Sequence, residues 1–193
     1  MSAYAARKFA NRQEEEMQMS DYAVVTAPGT VRIERLLPGP IDRLWSYLTD
    51  PDKRAKWFAA GDMELKVGGR VQLVFRNSEL TRNDDPAPAK YAVEAGEVVM
   101  TSRIVECEPP RVLAYTFGSE TSVVRFELTA RGDKVQLVIT HGGLENMDSM
   151  TSIAGGWHTH LDILRARLEG REPEGFWRLH TRLEAEYAKL LRA

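Results

Sequence analysis

The stretch VQLVITHGGLENMDSMTSIAGGWHTHLDILRARLEG, residues 135–170, contains the change of period that decides the fold. Val135, Leu137, Ile139 and His141 share one parity, as on a strand with a single buried face. Gly142-Gly143 ends that run. From Asp148 the spacing becomes three and four: Met150, Ile153, Trp157, Leu161, Leu164 and Leu168 fall within about 80° of arc at 100° per residue. A strand is therefore followed by the longest helix of the chain, ending near Gly170.

Working back toward the N-terminus, the strand signature repeats. Val124, Phe126 and Leu128 alternate before the Arg131-Gly132-Asp133 turn, and Leu113, Tyr115 and Phe117 alternate after Pro109-Pro110. Gly96 to Cys107 is a further extended run. Val71, Leu73 and Phe75 follow the hairpin signal Gly68-Gly69, and Met63, Leu65 and Val67 alternate before it. Ser78 to Lys90, with two prolines and two aspartates, reads as a long loop. Thr30 to Leu37 is the first strand, with Val31, Ile33 and Arg35 on one parity, stopped by Pro38-Gly39-Pro40. Ile41, Leu44, Trp45 and Leu48 then make a short amphipathic helix, and Asp50-Pro51 opens a second one through Trp57.

Hairpin links and alternation imply an antiparallel sheet with one buried face. Only the stripe from Met150 to Leu168 is long enough to cover it. The expected fold is α+β: a helix-grip fold in which a curved antiparallel sheet of about six to seven strands wraps on a long helix, with two short helices after the first strand. Curvature separates the sheet centre from the helix and leaves room for a cavity. Residues 1–25, with the Glu14-Glu15-Glu16 run, read as a flexible arm, 26–170 as the domain and 171–193 as a helical extension. Glu172-Pro173 breaks the long helix, and Phe176, Leu179, Leu183, Tyr187 and Leu190 form a second stripe, with Trp177 about 100° away from it.

The chain has 193 residues, enough for one domain with extensions. At this size about 70% of the unfolded surface is buried on folding, so the core needs neither disulfides nor a structural metal. Cys107 is the sole cysteine, which excludes an intrachain disulfide and suits a reducing compartment. A net charge of −2 argues against a dedicated nucleic-acid binder. No apolar run approaches a membrane span, and the first residues lack the apolar core of a secretory signal. A cytoplasmic location is expected.

The stretch RLLPGPIDRLWSYLTDPDKRAKWF (35–58) resembles the opening of the SRPBCC superfamily, also called START-like or birch-pollen-allergen-like, and within it the branch of the activator of heat-shock protein ATPase. VGGRVQL (67–73), IVECEPPRVLAYTF (104–117), VQLVITHGGL (135–144) and GGWHTHLDILRARLEG (155–170) agree in order and spacing, so the resemblance covers about 30–170. It implies a helix-grip domain. The eukaryotic namesake is a co-chaperone module, bacterial members are mostly stand-alone domains without assigned ligands, and relatives elsewhere in the superfamily bind lipids, sterols or polyketides. No catalytic motif is shared, so no nucleophile is carried over.

The candidate ligand-binding residues are Trp57, Phe58, Leu73, Phe75, Tyr115, Phe117, Ile139, His141, Trp157 and Leu161, with Tyr115 and His141 as the polar contacts. Trp57 reads either as a cavity lip or as core, and Trp45 as core. His141 points inward, toward a ligand or toward a backbone group across the Gly142-Gly143 turn. His158 and His160 lie about 200° apart on the helix and cannot chelate one ion from a common face. His158 is expected to be exposed, with His160 at the core border. Arg125 falls on the outer parity, and a metal site from His141, Asp148 and His160 has little support. Phosphate-loop, zinc-protease and nucleophile-elbow motifs are absent. No cofactor and no catalytic residue are assigned.

The first functional reading is binding of a small apolar or amphipathic ligand between sheet and helix. The second is a co-chaperone-like or regulatory protein–protein module, which a filled interior would favour. The third is a cyclase or hydrolase on a polyketide-like substrate, with His141 as acid or base. A homodimer through Phe176, Trp177, Leu179, Leu183 and Tyr187 is the alternative to packing of that helix on its own domain.

Overall fold

A computed structural model describes residues 21–191. Among these residues the elements run β1 (Val24–Ala27), β2 (Thr30–Pro38), α1 (Ile41–Thr49), α2 (Pro51–Arg54), β3 (Arg70–Phe75), β4 (Val98–Glu108), β5 (Val112–Phe117), β6 (Ser119–Arg131), β7 (Lys134–Gly142), α3 (Met147–Leu168) and α4 (Phe176–Leu190). The strands form one antiparallel sheet of seven, in the order β1-β2-β7-β6-β5-β4-β3. The helix-grip fold read from the sequence is the fold observed.

Register places the apolar parities on one face. Val31, Ile33, Arg35 and Leu37 of β2 lie opposite His141, Ile139, Leu137 and Val135 of β7. Val124, Phe126 and Leu128 of β6 continue the same face. The register shifts between Ile104 and Glu106, where β4 carries an extra residue, and where Thr116 and Phe117 face Val123 and Ser119, with the extra residues in β6. The opposite face is polar, and there Arg125 pairs with Glu106 and Glu127 on the outer parity expected for it.

The short helices follow local chemistry. Asp50 caps α2 by accepting from the backbone N–H groups of Asp52 and Lys53, and Pro51 takes the first turn. The helix ends at Arg54, earlier than expected, because the buried Arg54 guanidinium turns back to donate to the carbonyls of Thr49, Ala59 and Gly61.

Four expectations need correction. The stretch Met63–Val67 is not a strand. It makes a single bridge to β3 at Met63–Val71, with another just before it at Ala60–Val74, and Leu65 and Val67 are exposed. Gly69 is needed there because a Cβ would sit 2.1 Å from the Glu64 carbonyl oxygen. The segment 21–25, read as part of the arm, is fixed: Asp21 pairs with Arg165, and Val24 and Val25 pair with β2. Residues 1–20 lie outside the described residues.

His158 is buried, not exposed. The reason is α4, which packs along α3 so closely that Gly155 lies against the Glu184 backbone. With the sheet on one side and α4 on the other, α3 buries residues well beyond a single stripe. For the same reason Phe176, Trp177, Leu179, Leu183 and Tyr187 are buried within their own chain, so these side chains present no dimer surface.

Candidate functional site

Between α3 and the β3–β5 end of the sheet lies a cavity of about 340 Å³. Phe58, Phe75, Phe117 and Trp157 wall its inner side. Phe58 stacks on Trp157 with centroids 5.0 Å apart and meets Phe75 edge-on at 5.1 Å. Ser152, Ile153, Gly156 and His160 of α3 complete that wall. Nothing within 4 Å would meet a Cβ at Gly156, so the missing side chain leaves part of the space.

The outer side comes from elements to which the sequence reading gave no role in the site. Residues 77–96 contribute Asn77, Tyr91 and Glu94, and α4 contributes Phe176, Trp177 and His180. Loop and helix hold each other. Gly175, the residue before α4, has no side chain to cap it, so the loop supplies the acceptors. Thr81 Oγ1 accepts from Phe176 N at 2.9 Å, and the Asp84 carboxylate accepts from Trp177 N at 2.8 Å and Arg178 N at 3.2 Å. These are N–H groups that a helix leaves unpaired at its start. Asp84 comes so close that a Cβ on Gly175 would lie 2.4 Å from its carboxylate. Trp177 Nε1 donates to Ser78 Oγ at 2.9 Å, and the Tyr91 hydroxyl donates to Glu184 at 2.6 Å. Burial and that carboxylate push the Tyr91 pKa up to about 12.

Of the ten residues read as ligand-binding, the structure brings four to the cavity: Phe58, Phe75, Phe117 and Trp157. Trp57, Leu73, Tyr115, Ile139 and Leu161 are core residues that do not line it. Trp57 donates its indole N–H to the Tyr47 carbonyl at 2.9 Å, which settles it as core. His141 is a correction of a different kind. Its Nδ1 accepts from Trp157 Nε1 at 3.0 Å, so Nε2 carries the proton and donates to Ser122 Oγ at 2.8 Å. Both nitrogens are occupied within the chain, and burial lowers the pKa to about 4.

The other histidines are also inside. His160 donates Nδ1–H to the Trp57 carbonyl at 2.8 Å, and burial lowers it to about 4. His158 Nδ1 shares a hydrogen bond with the Tyr187 hydroxyl at 2.9 Å, and that hydroxyl oxygen accepts from Ala23 N at 2.7 Å. Burial, with Arg35 nearby, lowers His158 to about 3. Burial lowers His180 as well. Among the described residues no three His, Cys, Asp or Glu side chains are placed to hold a metal, and no helix is long and apolar enough to cross a membrane.

A larger cleft, about 950 Å³, opens between β2, β7, α3 and α4. Its lining mixes carboxylates with arginines, several already paired, as Arg165 with Asp21 and Arg35 with Asp162. The 340 Å³ cavity is the candidate site, because it joins apolar walls to a few polar groups.

The comparisons agree with this architecture. Residues 38–169 match the family model described as Activator of Hsp90 ATPase homolog 1-like protein. The chain belongs to that family, a branch of the SRPBCC superfamily. No protein of curated function matches it. A solution structure of the Bordetella parapertussis protein encoded by gene BPP1335 is 42% identical, with a TM-score of 0.74 over 86% of this chain and 88% of that one. The crystal structure of CalU16 from Micromonospora echinospora aligns at 23% identity and TM-score 0.62, over 85% and 89% of the two chains. DynU16, from the dynemicin biosynthetic locus, aligns at 20% identity and TM-score 0.56, over 78% of this chain and 51% of that one. The last two likenesses speak to the fold.

Proposed function

We propose that the chain binds one small apolar or amphipathic molecule in the cavity between α3, the β3–β5 end of the sheet and the 77–96 loop. The observation that carries this reading is the aromatic wall. Rings from the sheet, α3, the loop and α4 surround a space of about 340 Å³, inside the range of small-molecule pockets. Binding is driven by removing the ligand's apolar surface from water, worth roughly 25 cal/mol per Å² before association costs. The lid formed by the loop and α4 sets which shapes enter.

His141, named as acid or base in the enzyme reading, has both nitrogens committed to Ser122 and Trp157. A partner-module reading was favoured by a filled interior, and this interior holds a cavity. The test is N-phenyl-1-naphthylamine, a neutral dye that brightens in apolar surroundings. The wild-type chain is expected to enhance its fluorescence saturably. Gly156→Leu fills the cavity and should abolish that enhancement, while the melting temperature holds or rises because a helical glycine has been removed. Equal enhancement in both proteins, or none in either, would count against the reading.

A further inference from the structure

Most of the cavity wall is apolar, and unpartnered polar atoms mark its lid side. Asn77 Oδ1 and His180 Nδ1 are buried without a hydrogen-bond partner, and both residues line the cavity. Buried polar atoms are nearly always paired, and an orphan forfeits the hydration it had in the unfolded chain. Two at one cavity point to a partner that comes from outside the chain.

Neighbouring rings and one hydrogen bond across the lid frame these two groups. The His180 ring stacks on Phe176 at 5.7 Å with 17° between planes, and Tyr91 meets it edge-on at 5.0 Å. The bond from Trp177 Nε1 to Ser78 Oγ ties α4 to the residue next to Asn77. The χ2 torsions of Asn and His are soft, so a small turn presents either atom to a ligand. Asn77 lies within the segment that matches the family model and His180 beyond residue 169, outside it, so the C-terminal extension supplies one of the two groups.

The ligand chemistry follows from the atoms. The Asn77 oxygen only accepts. The bond His160 donates from Nδ1 leaves its Nε2 as an acceptor in the same wall. The His180 nitrogen donates or accepts according to tautomer. A hydroxyl group donates its one proton to one of these acceptors, and its oxygen accepts from His180 when that nitrogen carries the proton. Glu94 on the lining disfavours a carboxylate in that position. We propose that Asn77 and His180 select a neutral aromatic alcohol, with its rings against the wall formed by Phe58, Phe117 and Trp157 and its hydroxyl at the lid. This rests on the apolar-ligand reading above.

The test is titration of the purified chain with naphthalene, 2-naphthol and 2-methoxynaphthalene, followed by quenching of tryptophan fluorescence. These probes share rings and differ in the hydroxyl donor. The wild-type chain is expected to bind 2-naphthol about five- to tenfold tighter than the other two, the scale of one net hydrogen bond. In His180→Phe, which keeps a ring to stack, and in Asn77→Leu, the ratio of 2-naphthol to naphthalene affinity should fall toward one. Melting temperatures at or above wild type would show both variants folded, as expected when a buried orphan is removed. Equal affinities for all three probes in the wild type would overturn the selection while leaving the cavity reading intact. So would a 2-naphthol preference that survives both substitutions. Binding of none of the probes would overturn both.

Discussion

His141 and His180 are both buried next to large aromatic residues, yet one is fully partnered and the other is not. His141 accepts from Trp157 and donates to Ser122, and those bonds fix α3 against β6 and β7. His180 keeps an unpartnered Nδ1 beside a cavity. The same contrast separates two regions of the interior. Around Leu37, Leu44, Leu137, Leu161 and Leu164 the sheet and α3 close on each other without solvent access. Around Phe58, Phe75, Phe117 and Trp157 they part, and the lid covers the gap. Of the buried side-chain atoms without a partner among the described residues, Asn77 Oδ1 and His180 Nδ1 belong to cavity-lining residues, whereas Arg35 Nε, Ser102 Oγ and Thr151 Oγ1 do not.

Acidification breaks the satisfied region most severely. In the folded chain His141 and His160 titrate near 4 and His158 near 3, all because of burial. In the unfolded chain each titrates near 6.5. Between those values the unfolded chain binds more protons, so stability is complete above about pH 6.5 and falls as pH drops through that window. Each histidine contributes about 1.4 kcal/mol per pH unit, and the three together on the order of 8–10 kcal/mol by pH 4. That matches the whole stability of an ordinary domain, so urea midpoints should fall steeply below pH 6 and the chain should unfold before pH 4. A midpoint unchanged from pH 7 to pH 5 would contradict the assignment of these rings as neutral and buried.

A paired substitution sharpens the contrast. His141→Phe leaves the Trp157 indole N–H without its acceptor and should cost about 2–4 kcal/mol. His180→Phe removes an orphan and should cost less than about 0.5 kcal/mol, or stabilise. Chemical denaturation of both variants measures the difference, and equal costs would erase the distinction drawn between the two histidines.

The smallest effect is on the lid. Asp84→Ala removes the acceptor for two N–H groups at the start of α4 and should cost about 1 kcal/mol. Amide exchange should quicken in 77–96 and the first turn of α4, while β6 and β7 keep their protection. Uniform quickening across the sheet would mean that lid and core open together.

The contrast also explains what the sequence could tell. Strand parity placed Val31, Phe126, Ile139 and His141 on the buried face, and the stripe from Met150 to Leu168 identified the covering helix, because periodicity records which way side chains point. Parity also put Arg35 inward, where it is buried and paired with Asp162. What periodicity cannot record is which of the inward residues meet one another and which meet a gap. Leu73 and Phe75 share a parity, but only Phe75 reaches the cavity. The 77–96 loop has no period at all; its order comes from Thr81, Asp84 and Tyr91 bonding to a helix about a hundred residues away. The one local clue was Trp177, off the stripe of its own helix, which the lid explains. His158 was misplaced because the covering of α3 by α4 is invisible to a single-helix projection.

The central claim is that the cavity is a ligand site, and native mass spectrometry tests it most directly. The chain is purified without detergent, measured intact, denatured and measured again, alongside Gly156→Leu. The account predicts a wild-type mass that exceeds the bare chain by one small molecule, lost on denaturation and absent from the variant. A bare mass in both proteins, with no retention of added 2-naphthol by the wild type, would contradict it.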